Sequence, residues 1–140
     1  MTTRATFPKT DRLILRRDFD YLLANGTALH TKGLKLVYVR LPLEASIENL
    51  LPAHARHAFA LPKRHFKQAT ARNYYRRRIR EAVRLRQAEW LHSISTGGTY
   101  ACLWVGDGRL SPRFQDIDQQ VARLLQLAAR NLNSPREPIT

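Results

Sequence analysis

Acids are scarce in this sequence. Only 11 Asp and Glu stand against 24 Lys and Arg, a formal net charge of +13 in 140 residues. An excess of that size is more than solubility needs and points to a polyanionic partner, with nucleic acid ahead of an anionic membrane surface. Long apolar runs are missing too. Nothing approaches the roughly eighteen consecutive apolar residues of a membrane-spanning helix, and the opening MTTRATFPKTDR lacks the apolar stretch of a secretory signal. The expectation is a soluble cytoplasmic protein with no membrane association. Cys102 is the single cysteine. No internal disulfide can form, and the neighbours Ala101, Leu103 and Trp104 read it as a small buried residue, not a reactive thiol.

Clustered carboxylates are the next absence. Metal-dependent phosphodiester cleavage needs several of them around Mg²⁺ or its relatives, and here the nearest grouping is Asp107, Asp116 and Asp118. Those three are better explained by a turn and a helix start, where negative charge suits the helix dipole. His54, His57 and His65 lie near the basic segment without ligand or general-base spacing, and one cysteine completes no zinc site. They read as surface or RNA-contacting residues. No catalytic residue is assigned to the chain, and whether it binds a metal of its own is left open.

What is present is concentrated. Between Arg56 and Arg86 there are eleven Lys or Arg and one acid, Glu81, so that segment holds most of the net charge. The remainder reads as one α+β domain over residues 1–140, with an ordered core at about 7–132 and loose termini. Asp18 is the expected N-cap of a short helix carrying Phe19, Leu22 and Leu23, stopped at Gly26. Residues 34–39 favour a strand, after a short edge strand at Ala28 to His30. The stretch from Leu41 to Ala55, bracketed by Pro42 and Pro52, shows no period and reads as a connection. His57 to Leu61 is a further strand, ended by Pro62. From about Thr70 to Trp90 no Gly or Pro intervenes, and Tyr75, Ile79, Ala82, Val83 and Trp90 fall on one side at about 100° per residue. Residues 100–105 are apolar on both faces, as in a buried strand. Ile117, Val121, Leu124, Leu125, Ala128 and Leu132 have helical spacing.

The long helix carries the binding chemistry. Asn73, Arg77, Arg80 and Arg84 share one polar stripe, with Arg76 just beside it. Arginines a turn apart repel each other in a free helix by a few tenths of a kcal/mol per pair, so packing or a bound polyanion must offset that cost. The planar guanidinium suits the task, because it donates bidentately to phosphate and stacks on bases. Three readings remain open on residues alone: a ribonucleoprotein subunit, a ribosomal or ribosome-associated protein binding rRNA, and a major-groove DNA reader. The last is weakest, since no second helix precedes this one at helix-turn-helix spacing.

The segment Arg72-Asn73-Tyr74-Tyr75-Arg76-Arg77-Arg78-Ile79-Arg80-Glu81 resembles the RNR motif of the bacterial ribonuclease P protein family. Every fixed position is filled, with Arg76 where Lys is usual. Pro62-Lys63-Arg64, and Arg12-Leu13 with Asp18-Phe19 and Gly26, extend the resemblance over roughly residues 7 to 130. Tyr74 and Tyr75 depart from the usual basic and aliphatic residues, and Phe66 replaces a frequent glycine.

The resemblance implies the order α-β-β-β-α-β-α, a small sheet covered by helices, with the basic helix in a left-handed crossover against the usual right-handed rule. It implies partnership with a catalytic RNA and with precursor tRNA, whose 5′ leader the holoenzyme removes, and no stable protein partner. Mg²⁺ would be held mainly by the RNA. The motif region, Arg72, Asn73, Arg76, Arg77, Arg80 and Arg84 with Lys63, Arg64 and Lys67, would contact that RNA. A cleft between the sheet and the first helix would receive the single-stranded leader, with Phe19, Lys35 and Tyr38 as candidates. Phe19 could stack on an unpaired base or simply pack with Leu22 and Leu23. Lys35 and Tyr38 point to opposite faces of one strand, so only one can line the cleft.

Overall fold

The structure is a computed structural model and describes residues 11–42 and 52–134. The elements are α1 (Arg16–Asn25), β1 (Thr27–Thr31), β2 (Leu34–Arg40), β3 (Ala53–Ala60), α2 (Ala69–Ser93), β4 (Gly98–Gly106) and α3 (Phe114–Asn133). Their order is the expected one, and the edge strand around Ala28 is present as β1. The middle of the expected connection between β2 and β3, residues 43–51, lies outside the described residues, as do 1–10 and 135–140. Most of the expected loose termini therefore lie outside them too.

Three boundaries differ from the sequence reading. α1 starts at Arg16 with Leu15 as its cap residue, so Asp18 sits in the first turn and makes no cap bond. Its carboxylate instead lies 3.9 Å from both Arg17 and Arg56, while still favouring the positive end of the helix dipole. β3 begins at Ala53, four residues early, because its ladder is supplied from outside: Ala53 pairs with Gly98, and the parallel register continues to Ala60 beside Val105. α2 runs on to Ser93, 25 residues, or about 38 Å at 1.5 Å per residue.

The sheet order is β1-β2-β4-β3, antiparallel except for the β3–β4 pair, which α2 connects. β1 and β2 turn through Lys32-Gly33, and Gly33 has φ 86°, a left-handed conformation that strains any side chain. Outside β3 the chain adds a short flank, in which Arg12 bridges His57 in parallel and the Leu13 N–H donates to the His57 carbonyl at 2.9 Å.

Strand alternation divides the sheet into unequal faces. One carries Leu36, Tyr38, Tyr100, Cys102 and Trp104 under α2 and α3, where they join Ile79, Val83, Ile117 and Val121 in the main core. Arg86 ties the two helices with a bidentate pair to Asp118, both bonds 2.7 Å. Among the described residues the helix above the other face is the ten-residue α1, and the core there is small: Leu13, Leu22, Leu41 and Ala101. α1 packs on β2 and β4 of that face, and Lys35, Val37, Val39, Leu103 and Val105 there are half-buried. Cys102 is fully buried, and burial raises its thiol pKa, as the sequence reading requires. No helix among the described residues is long and apolar enough to cross a membrane.

Candidate RNA interface

The entry of α2 is built by the two departures from the motif. Phe66 is buried and its ring lies 4.8 Å from that of Tyr75, so the aromatic that replaces glycine packs on the aromatic that replaces an aliphatic residue. Arg72 closes the same corner, donating from Nη1 to the Phe66 carbonyl at 2.8 Å and to that of Lys67 at 3.3 Å. Lys63, Arg64 and Lys67 stay exposed on the turn that leads in. Tyr74 fastens the helix to the start of α3 through its hydroxyl, which donates to the Pro112 carbonyl at 2.8 Å, and Arg78 covers its ring at 4.7 Å.

The stripe itself is not uniform. Arg84 makes a bidentate pair with Glu81 at 2.6 and 3.0 Å, which raises the pKa of Arg84 and lowers that of Glu81. Arg84 and Arg72 thus have partners within the fold. Arg76 donates to the Asn73 side chain at 3.1 Å, and Arg77 is exposed beside it. Arg80 is half-buried, 5.8 Å over the Phe59 ring. Its pKa is lowered, by burial first and then by the charges of Arg12, Arg76 and Arg77. Like charges crowded in this way repel each other, and a bound anion would relieve that repulsion.

The open sheet face forms the second surface. Lys35, Val37 and Val39 line it on β2, opposite Val105, Leu103 and Ala101 of β4. Phe19 reaches it from α1, half-buried against the small core. Tyr38 does not. It lies on the helix-covered face, buried, and its hydroxyl accepts a bond from Asn131 at 3.2 Å. Of the strand pair, Lys35 is the residue on the cleft side. Leu23, which the sequence reading placed only on the first helix, stands one turn after Phe19 and is 67% exposed. The i, i+4 spacing from Phe19 was the available signal.

His57 corrects the reading of the three histidines as surface residues. It is buried, accepts from Trp104 Nε1 at 3.1 Å, and meets the Gln87 side-chain oxygen at 2.6 Å. Its pKa is lowered to about 4, chiefly by burial. His54 is half-buried 3.6 Å from Asp11, and only His65 is exposed. The grouped acids are occupied: Asp107 with Arg109, Asp116 with the Ser111 hydroxyl, Asp118 with Arg86. Among the described residues no three His, Cys, Asp or Glu side chains are placed to hold a metal ion.

A family model described as Ribonuclease P matches residues 7–129. Among solved structures, the fold is similar to the RNase P protein from Thermotoga maritima, at 21% identity and a TM-score of 0.63, covering 83% of this chain and 96% of that one. It is also similar to the Staphylococcus aureus RNase P protein, at 16% identity and a TM-score of 0.63, covering 86% and 96%. A mutant of the S. aureus protein with defective mRNA degradation activity matches at a TM-score of 0.66 and 16% identity, covering 86% and 89%. No curated protein matches the chain.

Proposed function

The chain belongs to the ribonuclease P protein family, and from that premise we propose that its two surfaces divide the labour, α2 holding the catalytic RNA and the open sheet face receiving the leader. It is the protein subunit of ribonuclease P, the ribonucleoprotein that matures the 5′ end of tRNA and whose RNA is the catalytic part. Its partners are accordingly that RNA and the tRNA substrate. The same reading puts it in the cytoplasm, where precursor tRNA is made.

One observation carries the assignment of α2. Arg76, Arg77 and Arg80 share the motif helix, where burial and then neighbouring cations lower the Arg80 pKa, and Lys63, Arg64 and Lys67 are exposed on the turn that leads into it. Asn73 steers the Arg76 fork. The division of labour follows from the chemistry of the two surfaces. A dense cation row suits the phosphates of a structured RNA. A half-covered apolar face, with Phe19, Leu23 and the ammonium of Lys35, suits an unpaired strand whose bases seek a stacking platform. Mg²⁺ would supply the Lewis acid and the hydrated nucleophile, held by phosphates of the RNA. This chain's residues neutralise charge and place the substrate.

The test is the salt dependence of binding. Replacing Arg76, Arg77 and Arg80 together by Ala keeps the best helix former at each position. It should leave the melting temperature near that of the parent and lower the slope of log affinity for the catalytic RNA against log salt by about 2 to 3. A slope unchanged by all three substitutions would remove α2 from the interface.

A further inference from the structure

Arg12 precedes α1 by four residues, yet the fold brings it to the motif helix. Its backbone bridges His57 in parallel on the outer edge of β3. Residues paired in this way project to the same side of a sheet. His57 projects under α2, where it meets Gln87, so Arg12 projects on the α2 side as well. Leu13, the next residue, points the other way and joins the small core beneath α1. Arg12 is exposed, and its strand partner His57 lies two residues before Phe59, the ring that Arg80 covers.

A directed chain of hydrogen bonds fixes this corner. Trp104 can only donate from its indole, so His57 Nδ1 is the acceptor and the ring proton sits on Nε2. That proton goes to the Gln87 oxygen at 2.6 Å, which turns the Gln87 amide nitrogen toward Asp11, 3.2 Å away. Each member has one orientation, set by its neighbour. The chain ends on the residue immediately before Arg12 and begins in the buried centre of the sheet.

We infer that Arg12 is a fourth phosphate-binding cation of the face formed by Arg76, Arg77 and Arg80, and that His57, Gln87 and Asp11 are positioning residues that hold it there. The inference rests on the assignment of α2 to the catalytic RNA. It extends the RNA surface past the motif helix onto the sheet edge, and it gives the buried histidine a purpose beyond packing. Burial lowers the Arg80 pKa first, and the charge of Arg12 adds to that lowering, as expected of a cation on the same face.

The experiment measures affinity for the catalytic RNA at several salt concentrations with the full-length protein. Arg12→Ala should lower the log–log salt slope by about 0.7 to 0.9, the contribution of one phosphate contact, and Arg12→Lys should restore it. An unchanged slope in Arg12→Ala, with the triple substitution on α2 still effective, overturns the inference alone. An unchanged slope in both overturns the assignment beneath it. Positioning is read from Gln87→Leu, which cuts the chain and keeps every cation. It should show the same loss of slope, and adding Arg12→Ala should then change nothing further. Gln87→Glu, which still accepts from His57 but sets a carboxylate against Asp11, carries the same test if the leucine variant does not fold. A full Arg12→Ala effect in either background would leave Arg12 at the interface and overturn the positioning role.

Discussion

His57 is neutral because of where its neighbours stand. Its Nδ1 is occupied by the Trp104 N–H, so a second proton on the ring would have to displace a buried bond, and burial lowers the pKa from 6.5 to about 4. As pH falls, the unfolded chain takes up that proton first. The contribution is complete above about pH 6.5 and is lost progressively as pH falls toward 4. Between pH 7 and pH 5 the loss amounts to about 2 kcal/mol. Denaturant unfolding of the parent and of His57→Val at both values tests this. The variant, lacking the titrating ring, should show a pH dependence smaller by that amount, and equal dependences would refute the assignment. Nothing local announces the burial. His57 stands in the run Ala55-Arg56-His57-Ala58-Phe59, and its partners are 30 and 47 residues away in sequence. Cys102 was legible for the opposite reason, since its burial is written in the apolar residues on either side.

At the scale of elements, alternation and helical period carried most of the fold. They placed α1, β2, α2, β4 and α3, and they separated Lys35 from Tyr38. Which of those two faces the open side was not legible, because it depends on the helices that cover each face: among the described residues α3 lies over Tyr38 and α1 lies over the side of Lys35. β3 was found late for a related reason, as its first four residues draw their pairing from β4 rather than from a pattern of their own. The geometry now resolves the two readings of Phe19 into one measurable mixture. The ring is half-buried, so Phe19→Ala should cost about 1 to 2 kcal/mol of stability, below the 3 to 5 of a fully buried phenylalanine. Loss of a stacking partner should weaken precursor tRNA binding to the holoenzyme by about 1 to 3 kcal/mol and leave mature tRNA binding unchanged. Leu22→Ala is the control: Leu22 is fully buried and should lose about 2 to 5 kcal/mol of stability with no preference for precursor. If Phe19→Ala damages both tRNA forms equally, the ring belongs to the core alone.

At the scale of the whole molecule, the charge was the most legible property and the sheet order the least. The +13 excess and its concentration around α2 are read directly from composition, whereas the order β1-β2-β4-β3 and the hand of the β3–α2–β4 connection are set by long-range packing that no local period encodes. The charge also fixes what the protein must do for a catalytic RNA. A folded RNA concentrates phosphates that Mg²⁺ ordinarily screens, and a protein that neutralises several of them replaces part of that screening. On the proposed assignment three arginines, a basic turn and the lysine of the cleft would act together, so the requirement for Mg²⁺ should fall when the protein is present. Cleavage of 5′-labelled precursor tRNA across a Mg²⁺ titration measures this in three mixtures. Protein freed of RNA should cleave nothing at any concentration, since its nearest grouping of acids, Asp107, Asp116 and Asp118, is engaged by Arg109, Ser111 and Arg86. The RNA alone should require high Mg²⁺. The two together should cleave at low Mg²⁺, and the triple α2 variant should move the midpoint back toward that of the RNA alone. Robust cleavage by the protein alone, or a midpoint indifferent to the protein, would mean that the positive surface serves some purpose other than assisting the RNA.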